Sequence, residues 1–245
     1  MTPNQHPFDA YVQTGDKPIR LARAALLFAL DRYPTIDVEG YLAKLDDLSR
    51  RIANLNPASA LERIAAIRTV LVEQEQFRGD VDSYRDPANS YLNEVINRKR
   101  GLPITLSAIW LDVADRLGWP IRGINFPGHF LIGVADDGDD PNQGSDETII
   151  VDPFGGGQLL SPADCQALLT RALGVTTIPS GEHFRPAGIR DILTRMLNNL
   201  RIGYVENQQY AAALPILLRM RALHPDESWV DEEIQRVRRL LSELN

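Results

Sequence analysis

From Lys17 to about Gln76 apolar side chains recur every three or four positions, the spacing of helices that bury one face. The segment PIRLARAALLFALDRYP, 18–34, opens on a proline suited to a first helical turn and stops before Pro34. In VEGYLAKLDDLSRRIANL, Tyr41, Leu42, Leu45 and Leu48 share one face with charges opposite. ASALERIAAIRTVLVEQEQF repeats the spacing with Leu61, Ile64, Ile67 and Leu71. Three such helices in succession predict a helical layer. RGDVDSYRDPANS then breaks the pattern, with turn chemistry at Asp86-Pro87 and with Asn89 or Ser90 placed to cap the next helix. That helix is YLNEVINRKR, ended by Gly101; a strongly apolar one, PITLSAIWLDVADRLG, follows from Pro103 and closes at Gly118.

The period changes at Trp119. WPIRGINF, HFLIGVAD and ETIIVDPF are short and rich in Ile, Val and Phe, which predicts strands. Between the last two lies an acidic stretch, 136–147, whose spacing does not fit a calcium loop and which reads as a solvated hairpin connection. SPADCQALLTRALG predicts a helix with Ser161 as cap, Pro162 in its first turn and Asp164 in the third position. Three helical segments follow, at about 190–206, 208–223 and 227–243. Together these elements predict an α+β fold: a helical N-terminal region over 1–83, a core with a small antiparallel sheet over 84–178, and a helical C-terminal region over 179–245.

The formal net charge is −7 without a long basic block, which argues against nucleic acid or an anionic membrane as partner. No apolar run approaches the roughly 20 residues of a membrane span, and the first 20 residues lack the apolar core of a signal peptide. The one cysteine, Cys165, cannot form an internal disulfide, which suits a reducing cytoplasm. His6, His129, His183 and His224 show no zinc-ligand spacing, and the glycine run 155–157 is followed by no lysine, so no metal or cofactor is expected.

The chemistry the sequence does offer is one histidine and one aspartate. His129 opens the second predicted strand and Asp152 closes the third. On neighbouring antiparallel strands the two would form the base-and-orienter half of a nucleophilic triad, the carboxylate fixing the tautomer of the imidazole. As a structural alternative, the pair satisfies two buried polar groups and fixes sheet register.

The stretch YRDPANSYLNEVINRKRGLPITLSAIWLDVADRLGWPIRGINFPGHFLIGV, followed by IIVDPFGGG, resembles the transglutaminase-like superfamily, and within it the SirB-type branch. The resemblance implies a triad of a cysteine at a helix start, a strand histidine and a strand aspartate, here His129 and Asp152. Counting back from Gly118, the cysteine position falls on Pro103, and its neighbours hold no thiol; Thr105 and Ser107 are the nearest hydroxyls. The C-terminal segment, with Leu197, Leu200, Tyr204, Ala211 and Pro225, resembles about one tetratricopeptide repeat, too little to stand alone, so it is expected to pack on the core.

Two functions follow as expectations. One is a non-catalytic binding or regulatory protein, holding a peptide or protein partner in the core cleft or on the C-terminal helices. Asn89, Asn93 and Arg98 are its candidate ligand-binding residues. The other is a hydrolase or acyltransferase that uses His129 and Asp152 with Thr105, Ser107 or water as nucleophile.

Overall fold

The computed structural model describes residues 5–13, 18–135 and 148–243. The predicted acidic connection, 136–147, lies outside them. The N-terminal layer comprises α1 (Pro7–Gln13), α2 (Leu21–Ala29), α3 (Val38–Ala53) and α4 (Ala60–Arg68), the last continued by a π-helical turn over Thr69–Gln74. A 3₁₀ turn, Pro87–Ser90, leads into α5 (Leu92–Arg98), and the long α6 spans Pro103–Leu117. After the strands and α7 (Pro162–Leu173), the chain ends in α8 (Ile189–Glu206), α9 (Tyr210–Leu223) and α10 (Ser228–Glu243). These three lie close to the predicted spans. Helix α7 carries the expected capping box between Ser161 and Asp164.

The strands form the predicted small antiparallel sheet. Beside β3 (Ile121–Ile124), β4 (Leu131–Val134) and β5 (Ile149–Asp152), two short edges complete it: β6 (Gln158–Leu159) and β7 (Pro186–Ala187), in the order β6-β5-β4-β3-β7. Pro186 is tolerated because β7 is an edge. A separate parallel pair joins β1 (Arg78–Gly79) to β2 (Arg100–Gly101). Two-residue pairings of this kind leave no periodicity to read, and none of the four short strands is visible in the sequence.

Other boundaries differ for local reasons. Helix α5 ends at Lys99, which itself takes the left-handed conformation (φ 58°), not at Gly101. Gly101 is needed instead for close packing, since a Cβ there would lie 2.8 Å from Val95. Neither Asn89 nor Ser90 caps α5; its N-cap is Tyr91, whose hydroxyl bonds that of Tyr204 at 3.0 Å. Helix α1 went unpredicted although Phe8 and Val12, four apart, are both buried.

One hydrophobic core runs from Phe8 through Trp110 and Ile132 to Val237, so it crosses the sequence boundaries at 83 and 178. A smaller cluster of Ile124, Phe126, Leu131, Cys165 and Leu169 lies between the sheet and α7. The N-terminal arm is fastened to the C-terminal helices by charge. Arg219 on α9, nearly buried, pairs with Asp9 at 2.7 Å and Asp31 at 3.1 Å. Arg190 on α8 donates to the carbonyls of Val12 (2.8 Å) and Leu223 (2.9 Å).

His6 lies 3.5 Å from Asp31 in this cluster. Burial, aided by the charge of Arg219, lowers its pKa to about 4. The unfolded chain therefore takes up the proton first: the contribution of His6 is complete above pH 6.5 and is lost as pH falls toward 4. Burial raises Asp9 and Asp31, whose effect has the opposite sign at lower pH. Between pH 7 and pH 5 the wild-type chain should lose about 2 kcal/mol more stability than His6→Gln, measured by urea unfolding at the two pH values.

Candidate functional site

Strands β4 and β5 pair with Ile132 opposite Val151 and Val134 opposite Ile149. Extending that register sets Leu131 opposite Asp152, and His129, two residues earlier, shares its face. His129 is not in the strand: β4 begins at Leu131, and the histidine sits in a turn closed by its N–H on the Phe126 carbonyl at 3.1 Å. Gly128 permits that turn with φ 66°, where a Cβ would also meet Ala172 at 2.6 Å. The result places His129 Nε2 2.8 Å from Asp152 Oδ1. A carboxylate only accepts, so Nε2 carries the hydrogen, and Nδ1 holds the lone pair of the neutral ring.

Several neighbours hold the pair in place. Asp152 Oδ1 also accepts from the Phe154 backbone at 3.0 Å. The Phe154 ring stands edge-on to the imidazole, centroids 5.9 Å apart and planes at 90°, and meets Tyr84 at 6.0 Å. Behind it Gly79 leaves the space the ring fills, because a Cβ there would lie 2.6 Å from it. Gly155 does the same for Asp152 Oδ2, at 2.9 Å. Each side chain of the pair keeps 12% of its surface exposed, so the site is sheltered but reachable.

The histidine turn is held by a residue that carries no signal in the sequence. Arg195 on α8 donates to Asn125 Oδ1 and the Phe126 carbonyl (3.2 Å) through Nη1, and to the His129 carbonyl (2.6 Å) through Nη2. Its guanidinium lies over the Phe130 ring, 5.6 Å from the centroid. Burial lowers its pKa, opposed by Tyr84; burial likewise raises Tyr84. Arg195 is 66 positions from His129, and nothing in the local pattern links them.

The other predicted residues are placed apart from the imidazole's bonds. Thr105 and Ser107 are fully buried in α6; Thr105 Oγ1 makes no hydrogen bond, and Ser107 Oγ reaches the Phe130 carbonyl at 3.5 Å. Pro103 is buried at the first turn of α6. Cys165 is buried in the smaller cluster, and burial pushes its thiol pKa up. Asn89 and Asn93 have almost no exposed surface; Asn89 donates to the Ser83 carbonyl at 2.7 Å and Asn93 to Glu94 at 3.2 Å. Arg98 pairs with Asp86 at 3.0 Å and Asp80 at 3.6 Å. The cavity nearest the start of α6, about 410 Å³, is lined instead by Tyr84, Asp86, Ser90 and Leu102, facing Asn199 and Ile202 of α8. Among the described residues no three His, Cys, Asp or Glu side chains cluster to hold a metal, and no helix is long and apolar enough to cross a membrane.

Comparison with known proteins agrees with this geometry. The profile of the transglutaminase-like superfamily matches residues 39–198, which include α6, His129 and Asp152. The chain is 33% identical over 223 residues to a UPF0162 protein of Xylella fastidiosa, covering 86% of this chain and 74% of that one. A UPF0162 protein of Pseudomonas aeruginosa is 33% identical over 227 residues, with 92% and 78% covered. F-box only protein 21 of Mus musculus is 31% identical over 170 residues, 66% of this chain but 25% of that protein. No solved structure matches. The chain belongs to the transglutaminase-like superfamily, and within it to the UPF0162 family.

Asp152 serves two donors and His129 is only one of them. Asp152→Ala should therefore destabilise the fold by more than His129→Ala, with each costing about 1–3 kcal/mol in urea unfolding. Equal losses would mean that the Phe154 bond contributes nothing.

Proposed function

We propose that this chain is a SirB-type transglutaminase-like protein that has lost the superfamily's cysteine and works in the cytoplasm by binding, not by acyl transfer. The observation that carries this reading is an assembled His129–Asp152 pair to whose ring, among the described residues, no thiol or hydroxyl is bonded. Cys165, the single cysteine, is buried with a raised pKa, far from the activated thiolate that nucleophilic catalysis needs. The partner we envisage is a peptide or protein segment laid along the cleft between Tyr84, Leu102 and α8, or on the tetratricopeptide-like C-terminal helices. Occurrence of the same core as a quarter of a longer relative fits use as a module. In this role the pair serves as a recognition element, the exposed edge of the imidazole accepting from or donating to the bound chain.

The enzymatic reading rests on the same 2.8 Å pair, with its Nδ1 lone pair activating water. Generic ester, thioester and γ-glutamyl amide substrates separate the two. The binding reading expects no turnover that His129→Ala abolishes; a His129-dependent rate would replace it with a hydrolase. A second test addresses Pro103. If it occupies the emptied nucleophile position, Pro103→Cys should create a thiol alkylated by iodoacetamide at pH 6 roughly tenfold faster than in the Pro103→Cys, His129→Ala double variant. Equal rates would show that Pro103 does not face the imidazole.

A further inference from the structure

A second cavity of about 630 Å³, lined by Arg195, opens between β7, α8, α9 and the start of α10. Its size lies within the roughly 300–1,000 Å³ of small-ligand sites. The charge inside it is unusual. Arg195 lines the wall, yet its three hydrogen bonds go to neutral acceptors, an amide and two carbonyls. Among the described residues it makes no ion pair, and a half-buried guanidinium without a counter-charge is costly to keep.

The two carboxylates of the wall are committed elsewhere. Asp191 Oδ2 accepts from the Gly188 backbone at 3.0 Å, capping α8, and Glu182 pairs with Arg185 at 3.1 Å. Asn198 stands one turn along α8 from Arg195; its Oδ1 is taken by Arg201 Nε at 2.9 Å, which leaves its amide N–H groups as donors. Thr194 and His224, bonded to each other at 2.5 Å, close the polar side. Arg185, the partner of Glu182, and Asn125, the acceptor of Arg195, also line the wall; its apolar part is built from Pro186, Ala187, Met220 and the partly exposed Trp229.

We propose that this cavity is a binding site for a singly charged carboxylate borne on an apolar residue, the carboxylate on Arg195 and Asn198 and the side chain against Met220 and Trp229. A carboxylate supplies the counter-charge that Arg195 lacks, and guanidinium geometry suits its two oxygens. A dianionic phosphate suits the cavity less: Asp191 and Glu182 share the wall, and its second cation, Arg185, is already paired with Glu182. Such a ligand is either the C-terminal residue of a peptide or a free acylated amino acid. Because Arg195 also donates to the His129 carbonyl, occupancy would reach the turn that carries the imidazole. The proposal does not depend on what the His129–Asp152 pair does.

Titration calorimetry on the full chain tests it, with N-acetylleucine, N-acetylphenylalanine, their C-terminal amides, a pentapeptide ending in leucine, and inorganic phosphate. The acids should bind saturably and at least about tenfold more tightly than the amides. A pentapeptide that binds more tightly than N-acetylleucine assigns the site to peptide C-termini; equal affinity assigns it to the small acid. Arg195→Gln should abolish binding and Asn198→Leu weaken it about fivefold. Circular dichroism establishes that each variant is folded, and Asn198→Leu decides alone if Arg195→Gln is not. Amides binding as tightly as acids, phosphate binding more tightly than both, or no saturable binding of either acid at millimolar concentration would overturn the assignment.

Discussion

The structure depends on enclosing one helix. Every residue of α6 from Pro103 to Ala114 is buried, and a helix that is buried all round cannot end up on a surface. It must be covered on every side, and no single segment of this chain is large enough to do so. Helices α2 and α3 cover one flank, β3 and β4 another, and α8 reaches it from the C-terminal region. The charge carried inward is paired: Asp112, whose pKa burial raises, is held by Arg116 at 2.6 Å, and Arg116 also reaches Asp46. This requirement explains why one core extends from α1 to α10.

The His129–Asp152 pair is a consequence of that enclosure. The sheet has to lie flat on α6, so β4 and β5 pair in a register that leaves their ends together. Glycines then let neighbouring groups approach: Gly79 admits the Phe154 ring, Gly155 admits the Asp152 carboxylate, and Gly157 sits where a Cβ would be 2.7 Å from Trp110. The glycine run 155–157 is thus packing and turn geometry, with φ 76° at Gly156 and 73° at Gly157.

Arg195 links the two parts of the molecule that bear on function. One side of its guanidinium fixes the turn 125–129, and the same residue lines the cavity between the sheet edge and the C-terminal helices. The C-terminal helices therefore do more than cover the core. They supply a cation that holds the turn carrying the imidazole and that, among the described residues, makes no ion pair.

The sequence by itself determined the α+β class, the long helices and the three central strands, because amphipathic period and cap residues such as Ser161 and Asp164 act within a few positions. It also singled out His129 and Asp152, although His129 lies in the turn before β4 and not, as the spacing had suggested, at the strand's end. Only the tertiary structure decided what surrounds them. Asn89, Asn93 and Arg98 carry the polar groups of a ligand site, but both asparagines are buried with their amide N–H groups on Ser83 and Glu94, and Arg98 pairs with Asp80 and Asp86. Arg195 reaches the His129 carbonyl, and Tyr84 the Phe154 ring, through folding across large sequence separations. Helix α1 and the two-residue strands were equally hidden, since so short an element is stabilised by the partner it meets and not by its own pattern.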